Sequence, residues 1–312
     1  MQGIVIRNTG NSYVVRLEDG NEVSCKVKGN FRLKGIRTTN PVAVGDCVTI
    51  DYVEGGADTY YITKVSQRRN YIIRRASNLS KESHIIAANI DIAVLVATVA
   101  HPTTATTFID RFLATAEAYG VTVALVFNKT DLLDEEWSEY LEAITYLYRS
   151  IGYKVLHCSA KRGDGIEALR DYLQGKTALF AGNSGVGKTT LLNILVPGID
   201  AKTAAISDAH DTGMHTTTFS EMYDLPGGGA IIDTPGVRGF GTIDMSKEEV
   251  SHYFPEMFAL SQDCRFANCT HTHEPGCAVL EALDDNRIAQ SRYASYLSIL
   301  EDADQGKYRK PQ

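Results

Sequence analysis

The sequence predicts a multidomain α/β chain with three parts: a small N-terminal β-barrel, a doubly wound α/β domain and a short, α-rich C-terminal segment. Three observations predict it. Five short alternating strands crowd into the first 70 residues. Strands and helices then alternate to about residue 244, and beyond that point three cysteines and two histidines cluster within 14 positions. The expected boundaries are 1–70, 71–244 and 245–312.

The five strands of the first part are expected at Gly3–Arg7, Ser12–Leu17, Glu22–Val27, Cys47–Tyr52 and Tyr60–Val65, with turns rich in Gly, Asn and Asp between them. That density of strands suits a closed barrel of OB type, a fold that often binds single-stranded or irregular nucleic acid on one face. From Lys26 to Arg37 the chain holds Lys26, Lys28, Arg32, Lys34 and Arg37 with no acid among them, and Phe31 in their midst offers a ring on which a base could stack. Arg68, Arg69, Arg74 and Arg75 form a second basic group. The formal net charge of -7 argues against a basic surface overall, so RNA binding is expected to be local.

In the second part, Ile90–Thr98, Thr122–Phe127, Lys154–Ser159, Thr177–Ala181 and Ala230–Asp233 are short, apolar and uninterrupted, as buried parallel strands are. Phe108–Tyr119, Glu135–Ser150, Gly165–Leu173 and Lys188–Val196 read as helices between them. Gly182-Asn183-Ser184-Gly185-Val186-Gly187-Lys188-Thr189 follows a strand and opens a helix, the context of a phosphate loop. Its glycines let backbone N–H groups curl around phosphates, and the helix start adds positive partial charge. Lys188 is expected on the β- and γ-phosphates, Thr189 on Mg²⁺, and Thr190 beside the nucleotide.

Asp233-Thr234-Pro235-Gly236 lies some 45 residues further on. The Asp233 carboxylate is expected to hold Mg²⁺ through its water shell, and the Gly236 N–H to bond the γ-phosphate. Between the two sits Gly213-Met214-His215-Thr216-Thr217-Thr218, where Thr217, or failing it Thr216, supplies a switch hydroxyl to Mg²⁺. Where many GTPases place a water-orienting glutamine after the switch glycine, this chain has Val237, which cannot orient water. Slow unaided hydrolysis is expected. His215 is the nearest internal candidate for a catalytic role.

Asn128-Lys129-Thr130-Asp131 ends one strand, and Ser159-Ala160-Lys161 ends the next. Asp131 can accept from the N1–H and the N2 amino group of guanine, donors that adenine lacks, and the Ala160 N–H can donate to O6. The Lys129 stem covers the ring and Asn128 ties the base loop to the phosphate loop. These base-reading motifs precede the phosphate loop instead of following it. The domain is therefore read as a circularly permuted P-loop GTPase domain.

Cys264-x4-Cys269-x-His271-x5-Cys277 supplies three thiolates and an imidazole, the ligand set of a structural Zn²⁺ site, with His273 as a competing fourth ligand. Cys25, Cys47 and Cys158 stand alone in apolar surroundings and are expected to be buried thiols. No apolar run approaches the roughly 20 residues that span a bilayer, and Met1 to Gly10 lacks a signal-peptide pattern. A soluble, cytoplasmic protein with no membrane partner is expected, and nothing suggests an obligate dimer, so a monomer is expected.

The phosphate loop, the Gly213–Thr218 stretch, Asp233–Gly236 and the Cys264–Cys277 cluster with Glu274-Pro275-Gly276-Cys277, in this order, resemble the RsgA family of bacterial ribosome-biogenesis GTPases (also called YjeQ or YloQ). The resemblance spans essentially the whole chain. It implies an N-terminal OB domain, a permuted GTPase domain and a C-terminal zinc domain. It also implies GTP hydrolysis to GDP late in small-subunit (30S) assembly, contact with 16S rRNA near the decoding centre, stimulation by that subunit and departure after hydrolysis. Guanine contacts at Asn128, Lys129, Asp131, Ser159 and Ala160, phosphate and Mg²⁺ contacts at Lys188, Thr189, Thr217 and Asp233, and zinc ligation by Cys264, Cys269, His271 and Cys277 follow from it. Met214 departs from a position that is commonly basic in the family. Gly185 stands where potassium-dependent relatives have an asparagine, which argues mildly against a monovalent ion. Two other functions fit parts of the pattern: a P-loop ATPase or kinase, disfavoured by Asp131 and Ala160, and a guanine-nucleotide sensor that docks on RNA without turnover, which Val237 allows.

Overall fold

The computed structural model describes residues 1–10, 12–27, 41–53, 59–75, 83–199, 220–234 and 245–305. Gln2–Asn8 (β1), Tyr13–Leu17 (β2), Glu22–Val27 (β3), Cys47–Val53 (β4) and Thr59–Val65 (β5) form the N-terminal barrel. β1 pairs with β2, β2 with β3, β3 with β5, and β5 with β4, which returns to β1 and closes the ring. Closure removes the free edge that would otherwise invite pairing with another chain. The order 1-2-3-5-4-1 is that of an OB-type barrel. Strand alternation turns Val5, Val15, Cys25, Val48, Ile50 and Ile62 into its interior.

Two expectations change here. Cys25 is buried, and burial pushes its thiol up to about 11, but Cys47 is exposed because Val48 and Ile50 take the inward positions of β4. Arg68 is not a free surface cation. Its Nε and Nη2 each donate to Asp46 at 2.7 Å, and both side chains are buried. Arg69 pairs with Asp91 at 2.7 Å. A hairpin that the sequence pattern did not announce, Tyr71–Arg75 (β6) and Ser83–Ala88 (β7), follows the barrel.

The second sheet contains Ile92–Ala97 (β8), Val123–Phe127 (β9), Lys154–His157 (β10), Thr177–Ala181 (β11), Glu221–Asp224 (β12) and Ala230–Asp233 (β13), in the order β10-β9-β8-β11-β13-β12. All neighbours are parallel except β12, which runs antiparallel to β13. Thr106–Ala118 (α1) and Glu135–Ile151 (α2) cover one face; Ile166–Leu173 (α3) and Lys188–Leu195 (α4) cover the other. Along β8, Ala93, Leu95 and Ala97 face α1 and α2, while Ile92, Val94 and Val96 face α3 and α4. Both faces are buried, which is why the strand is apolar throughout. Helix α2 starts where Asp134 accepts from the Trp137 N–H at 2.9 Å and stops at Gly152, whose φ is 114°. Helix α3 joins β10 to β11, so the strand that leads to the Ser159 loop runs on into the strand that leads to the phosphate loop. The circular permutation lives in that connection.

The C-terminal part packs Lys247–Val250 (α5), Pro255–Ser261 (α6), Ala278–Asp284 (α7) and Gln290–Gln305 (α8) around Phe254, Met257, Val279 and Tyr296. Helix α8 runs through to Gln305.

This part docks on α1 through a buried ionic network. Arg292 reaches Asp110 of α1 at 2.7 Å and Glu256 of α6 at 2.7 Å, while the Tyr148 hydroxyl donates to Asp110 at 2.8 Å. Arg292 and Asp110 are almost wholly inaccessible. Burial pushes the Asp110 carboxyl up, and Arg292 opposes that shift. Arg292→Met is expected to lower unfolding free energy by roughly 3 kcal/mol at neutral pH, because it strands a carboxylate in the core. A raised folded pKa means that ionisation costs stability as pH rises above the unfolded carboxylate value, so the deficit should shrink towards pH 4. Denaturant titrations of both proteins at the two pH values measure it; a deficit independent of pH would contradict the account.

Candidate nucleotide and metal sites

The phosphate loop leaves the C-terminal end of β11, the central strand, where the helical connections diverge to opposite faces. In open α/β sheets this is where ligands bind. Two glycines in it have no substitute. Gly182 has φ 142°, and a Cβ there would lie 2.1 Å from the Val96 carbonyl; Gly187 has φ 92°, and a Cβ would lie 2.4 Å from Asn128 Nδ2. Lys188 begins α4, and its Nζ donates to the carbonyls of Gly182 at 2.6 Å and Asn183 at 2.7 Å, so the ammonium sits inside the curled loop. Ser184, Gly185 and Thr190 are exposed, Val186 is buried, and Asn183 and Thr189 are half-buried.

Asp233 ends β13 next to this loop. Burial pushes its carboxyl up and Lys188 draws it down; burial likewise lowers Lys188, and Asp233 opposes that. Each charge therefore supports the other in a partly dry site.

The base loops close on the phosphate loop through Asn128. Its Nδ2 donates to the Val186 carbonyl at 2.9 Å, and its Oδ1 accepts from the Ala160 N–H at 3.1 Å. One buried amide thus joins three loops that are far apart in sequence. The Ala160 N–H, expected to face guanine O6, is engaged by Asn128 in this structure. Ser159 donates to Asp131 Oδ1 at 2.7 Å, and this bond is the main cause that holds the Asp131 carboxyl below its ordinary value. The ionised carboxylate retains acceptor sites for two further donors. Lys129 takes φ 65° and its Nζ donates to the His101 carbonyl at 2.7 Å, while Lys161 is exposed. The His101–Pro102 loop was not singled out from the sequence. Pro102 lies beside Gly185, so this loop braces both the base lysine and the phosphate loop.

His215, Thr216, Thr217, Gly236 and Val237, together with Lys28, Phe31, Arg32, Lys34 and Arg37, lie outside the described residues. Lys26 is exposed on β3.

Cys264, Cys269, His271 and Cys277 bring their ligand atoms within 4.8 Å of one another. The Sγ atoms of Cys264 and Cys277 are 3.9 Å apart, and His271 Nδ1 lies 3.6 Å and 3.4 Å from them. A tetrahedral ion with metal–sulfur bonds near 2.3 Å requires sulfurs about 3.8 Å apart, so the donor set fits such an ion. His273 is exposed and lies outside the group, its Nδ1 against Thr272 Oγ1. The surrounding loop is held from outside. Tyr293 and Tyr296 donate to the carbonyls of His271 and Thr270 at 2.7 Å and 2.6 Å. Burial acts to raise the Glu274 carboxyl, but donors on Thr270, Thr272 and His273 keep it well below the usual range. Cys277 also caps α7, accepting from the Leu280 N–H at 3.5 Å.

The strand order, the phosphate loop at the switch point and the base loops clamped to it define a circularly permuted P-loop GTPase fold carried behind an OB-type barrel. The RsgA GTPase family model matches residues 65–243, and the RsgA N-terminal domain model matches residues 2–60. The chain is 60% identical over 312 residues to the small ribosomal subunit biogenesis GTPase RsgA of Porphyromonas gingivalis and 58% identical over 309 residues to that of Bacteroides fragilis, covering 99% of each partner in both comparisons. The crystal structure of YjeQ from Thermotoga maritima superposes with a TM-score of 0.76 at 34% identity, covering 99% of both chains. YloQ, described as a circularly permuted GTPase, superposes at 0.72 and 29% identity, covering 100% of this chain and 96% of that one. The chain belongs to the RsgA GTPase family.

Proposed function

We propose that this chain hydrolyses GTP to GDP and phosphate as a late assembly factor of the small ribosomal subunit, binding 16S rRNA and leaving the subunit after hydrolysis. The single observation that carries the nucleotide half is the Asn128 bridge, because it gathers the guanine-reading loops and the phosphate loop into one pocket despite their shuffled order. The names of the relatives support the ribosomal half.

Within that pocket Asp131 reads the base, Lys129 covers the ring, and Ser159 orients Asp131. Gly182 to Thr190 hold the phosphates, with Lys188 on the β- and γ-groups. Mg²⁺ neutralises phosphate charge when bound; the hydroxyls of Thr189 and Thr217 would ligate it, and Asp233 would accept from its water shell. Gly236 senses the γ-phosphate, and His215 is the internal candidate for orienting water. Zn²⁺ is the ion that three thiolates and one imidazole select, and full coordination by protein makes it structural. The functional parts divide at 1–70, 71–244 and 245–312. The barrel carries RNA through Lys26, Lys28, Phe31, Arg32, Lys34 and Arg37, and the protein acts as a monomer in the cytoplasm. No described helix is long and apolar enough to cross a membrane.

Val237 implies that the water-orienting group is incomplete in the isolated chain. GTP turnover is therefore expected to be slow alone and to rise by an order of magnitude or more when purified small subunits are added, with Lys188→Ala abolishing both rates. Phosphate release measured with and without subunits tests it. Tight GTP binding with equal, negligible turnover in both conditions would instead favour the non-catalytic sensor.

A further inference from the structure

Strand β12 joins residues 201–219, which include the expected switch threonines, to β13, which ends at Asp233. One of its edges pairs with β13 and the other with β1 of the barrel. The barrel is thus attached to the nucleotide-binding sheet through the strand between its two switch segments. Among the described residues this strand-to-strand link consists of one register pair, Arg7 with Glu221, and the Asn8 N–H donating to the Ser220 carbonyl at 3.3 Å; the barrel is also held at Val44 and Gly45, whose carbonyls accept from the Ala88 N–H and from Asn89 Nδ2, each at 2.9 Å.

That register pair falls in line with the phosphate site. Glu221 is opposite Arg7 on one side and opposite Asp233 on the other, so three charged residues occupy one row across three strands. Directly opposed side chains on antiparallel strands have Cβ atoms about 4.5–5.5 Å apart, and like charges in that relation repel. Arg7 offsets the repulsion: its Nε donates to Glu221 Oε1 at 2.7 Å and its Nη2 to the same oxygen, while the Tyr223 hydroxyl donates to Oε2 at 3.0 Å. A bulge aims Arg7 there. Val5 is paired with Val15 and Arg7 with Val14, which leaves Ile6 as the extra residue. A second ion pair crosses the same junction, Arg16 with Asp224 at 2.7 Å, but Asp224 is at the far end of β12 opposite the neutral Ala230.

We propose that Arg7 and Glu221 are positioning residues that couple the barrel to the phosphate site. A displacement of β12 against β13 that accompanies a change of nucleotide is passed to β1 through this row, and a barrel docked on RNA biases the Asp233 end in return. The coupling must be reciprocal, since it is a free energy shared between two binding events. This inference rests on the nucleotide-dependent docking proposed above.

The test compares the affinity of the full chain for purified small ribosomal subunits in the presence of a non-hydrolysable GTP analogue and of GDP. The wild-type ratio is expected to be about 10-fold or more, within the usual range of allosteric couplings. Arg7→Gln and Glu221→Gln should each cut that ratio at least about fivefold, while Arg7→Lys and Arg16→Gln keep it within about twofold of wild type. The pair is partly solvent-exposed, so melting temperatures should barely move, and a purely structural role would leave the ratio unchanged. A wild-type ratio in Arg7→Gln or Glu221→Gln would overturn the proposal, as would an equal loss in Arg16→Gln. A ratio of one in the wild type would instead remove nucleotide-dependent docking, and this coupling with it.

Discussion

Cys277→Ser, or removal of the metal by a chelator, is expected to unfold the C-terminal part of the chain. Between Asp263 and Cys277 the backbone forms no helix or strand, and it is held by short turns, by the Arg265 N–H donating to the Gly276 carbonyl at 3.0 Å, and by the Glu274 carboxylate accepting from the Thr270 and Thr272 N–H groups. The three cysteines pack with Tyr293, Tyr296 and Val279, and the His271 ring lies against that of Tyr296, so the Cys264–Cys277 loop is one wall of the only core that α5 to α8 share among the described residues. Structural zinc sites contribute about 10–16 kcal/mol of apparent binding free energy at pH 7, far more than so small a core supplies. The loss would spread. Helix α8 carries Arg292, and once it leaves, Asp110 on α1 has no cation in a buried position. Chelation should therefore release close to one equivalent of zinc, abolish the near-ultraviolet signal of Tyr293 and Tyr296, and lower the melting temperature of the nucleotide-binding domain. Zinc-free protein that keeps its tyrosine signal and its melting temperature would remove the claim that the metal holds this part together.

Much of this architecture is legible in the sequence because its constraints are local. Strands β8, β9 and β11 are buried on both faces, so nearly every residue in them is apolar and the run itself announces the element. Helix α2 declares its limits with Asp134 at one end and Gly152 at the other. The phosphate loop demands glycine where φ is positive and where backbone or an amide leaves no room for a Cβ, so its pattern is dictated by sterics within eight residues. The elements that escaped detection are those whose pattern is set from outside. Strand β12, Glu-Met-Tyr-Asp, is short and half polar, and it is a strand because it is held between β13 and β1. The glycines at 227–229 were the available signal, a tight turn before a known strand. Helix α8 runs on to Gln305 although its sequence turns polar at Glu301, with Arg111 of α1 paired to Asp302 at 2.5 Å.

The charged residues divide in the same manner. Asp131 and Lys188 are recognisable because each stands at a fixed place in a short motif that the sequence displays. Arg68, Arg292 and Arg7 look like ordinary surface cations in the sequence. Their partners, Asp46, Asp110 and Glu221, are 22, 182 and 214 residues away, and no pattern in one dimension pairs them. Asn128 belongs to both groups. Its place in the base motif marks it, but its hold on Val186 and Ala160 becomes visible only when the loops meet.

Asp131→Asn is expected to reverse the base preference of the pocket. Guanine presents two donors at this edge, the N1–H and the N2 amino group, and the Asp131 carboxylate offers acceptors to both. An asparagine turns one of those acceptors into an N–H, which then points at the N2 amino group, donor against donor. Sites built around a specific hydrogen bond reject ligands that cannot make it by roughly 10⁴-fold, because a polar group is left unpaired in a partly dry pocket. GTP affinity should fall by about 10³- to 10⁴-fold on that basis. Xanthine carries an oxygen where guanine carries the amino group, so the variant should bind XTP more tightly than GTP, while ATP, which offers no N1–H, gains nothing. Ser159 can still donate to the asparagine oxygen, and Asn128 still ties the loops, so the fold and the zinc content should be unchanged. Competition of GTP, XTP and ATP against a fluorescent guanine nucleotide, run on wild type and variant, measures the exchange. Undiminished GTP affinity in the variant would mean that the base is read by another group, and the role proposed for Asp131 would fall.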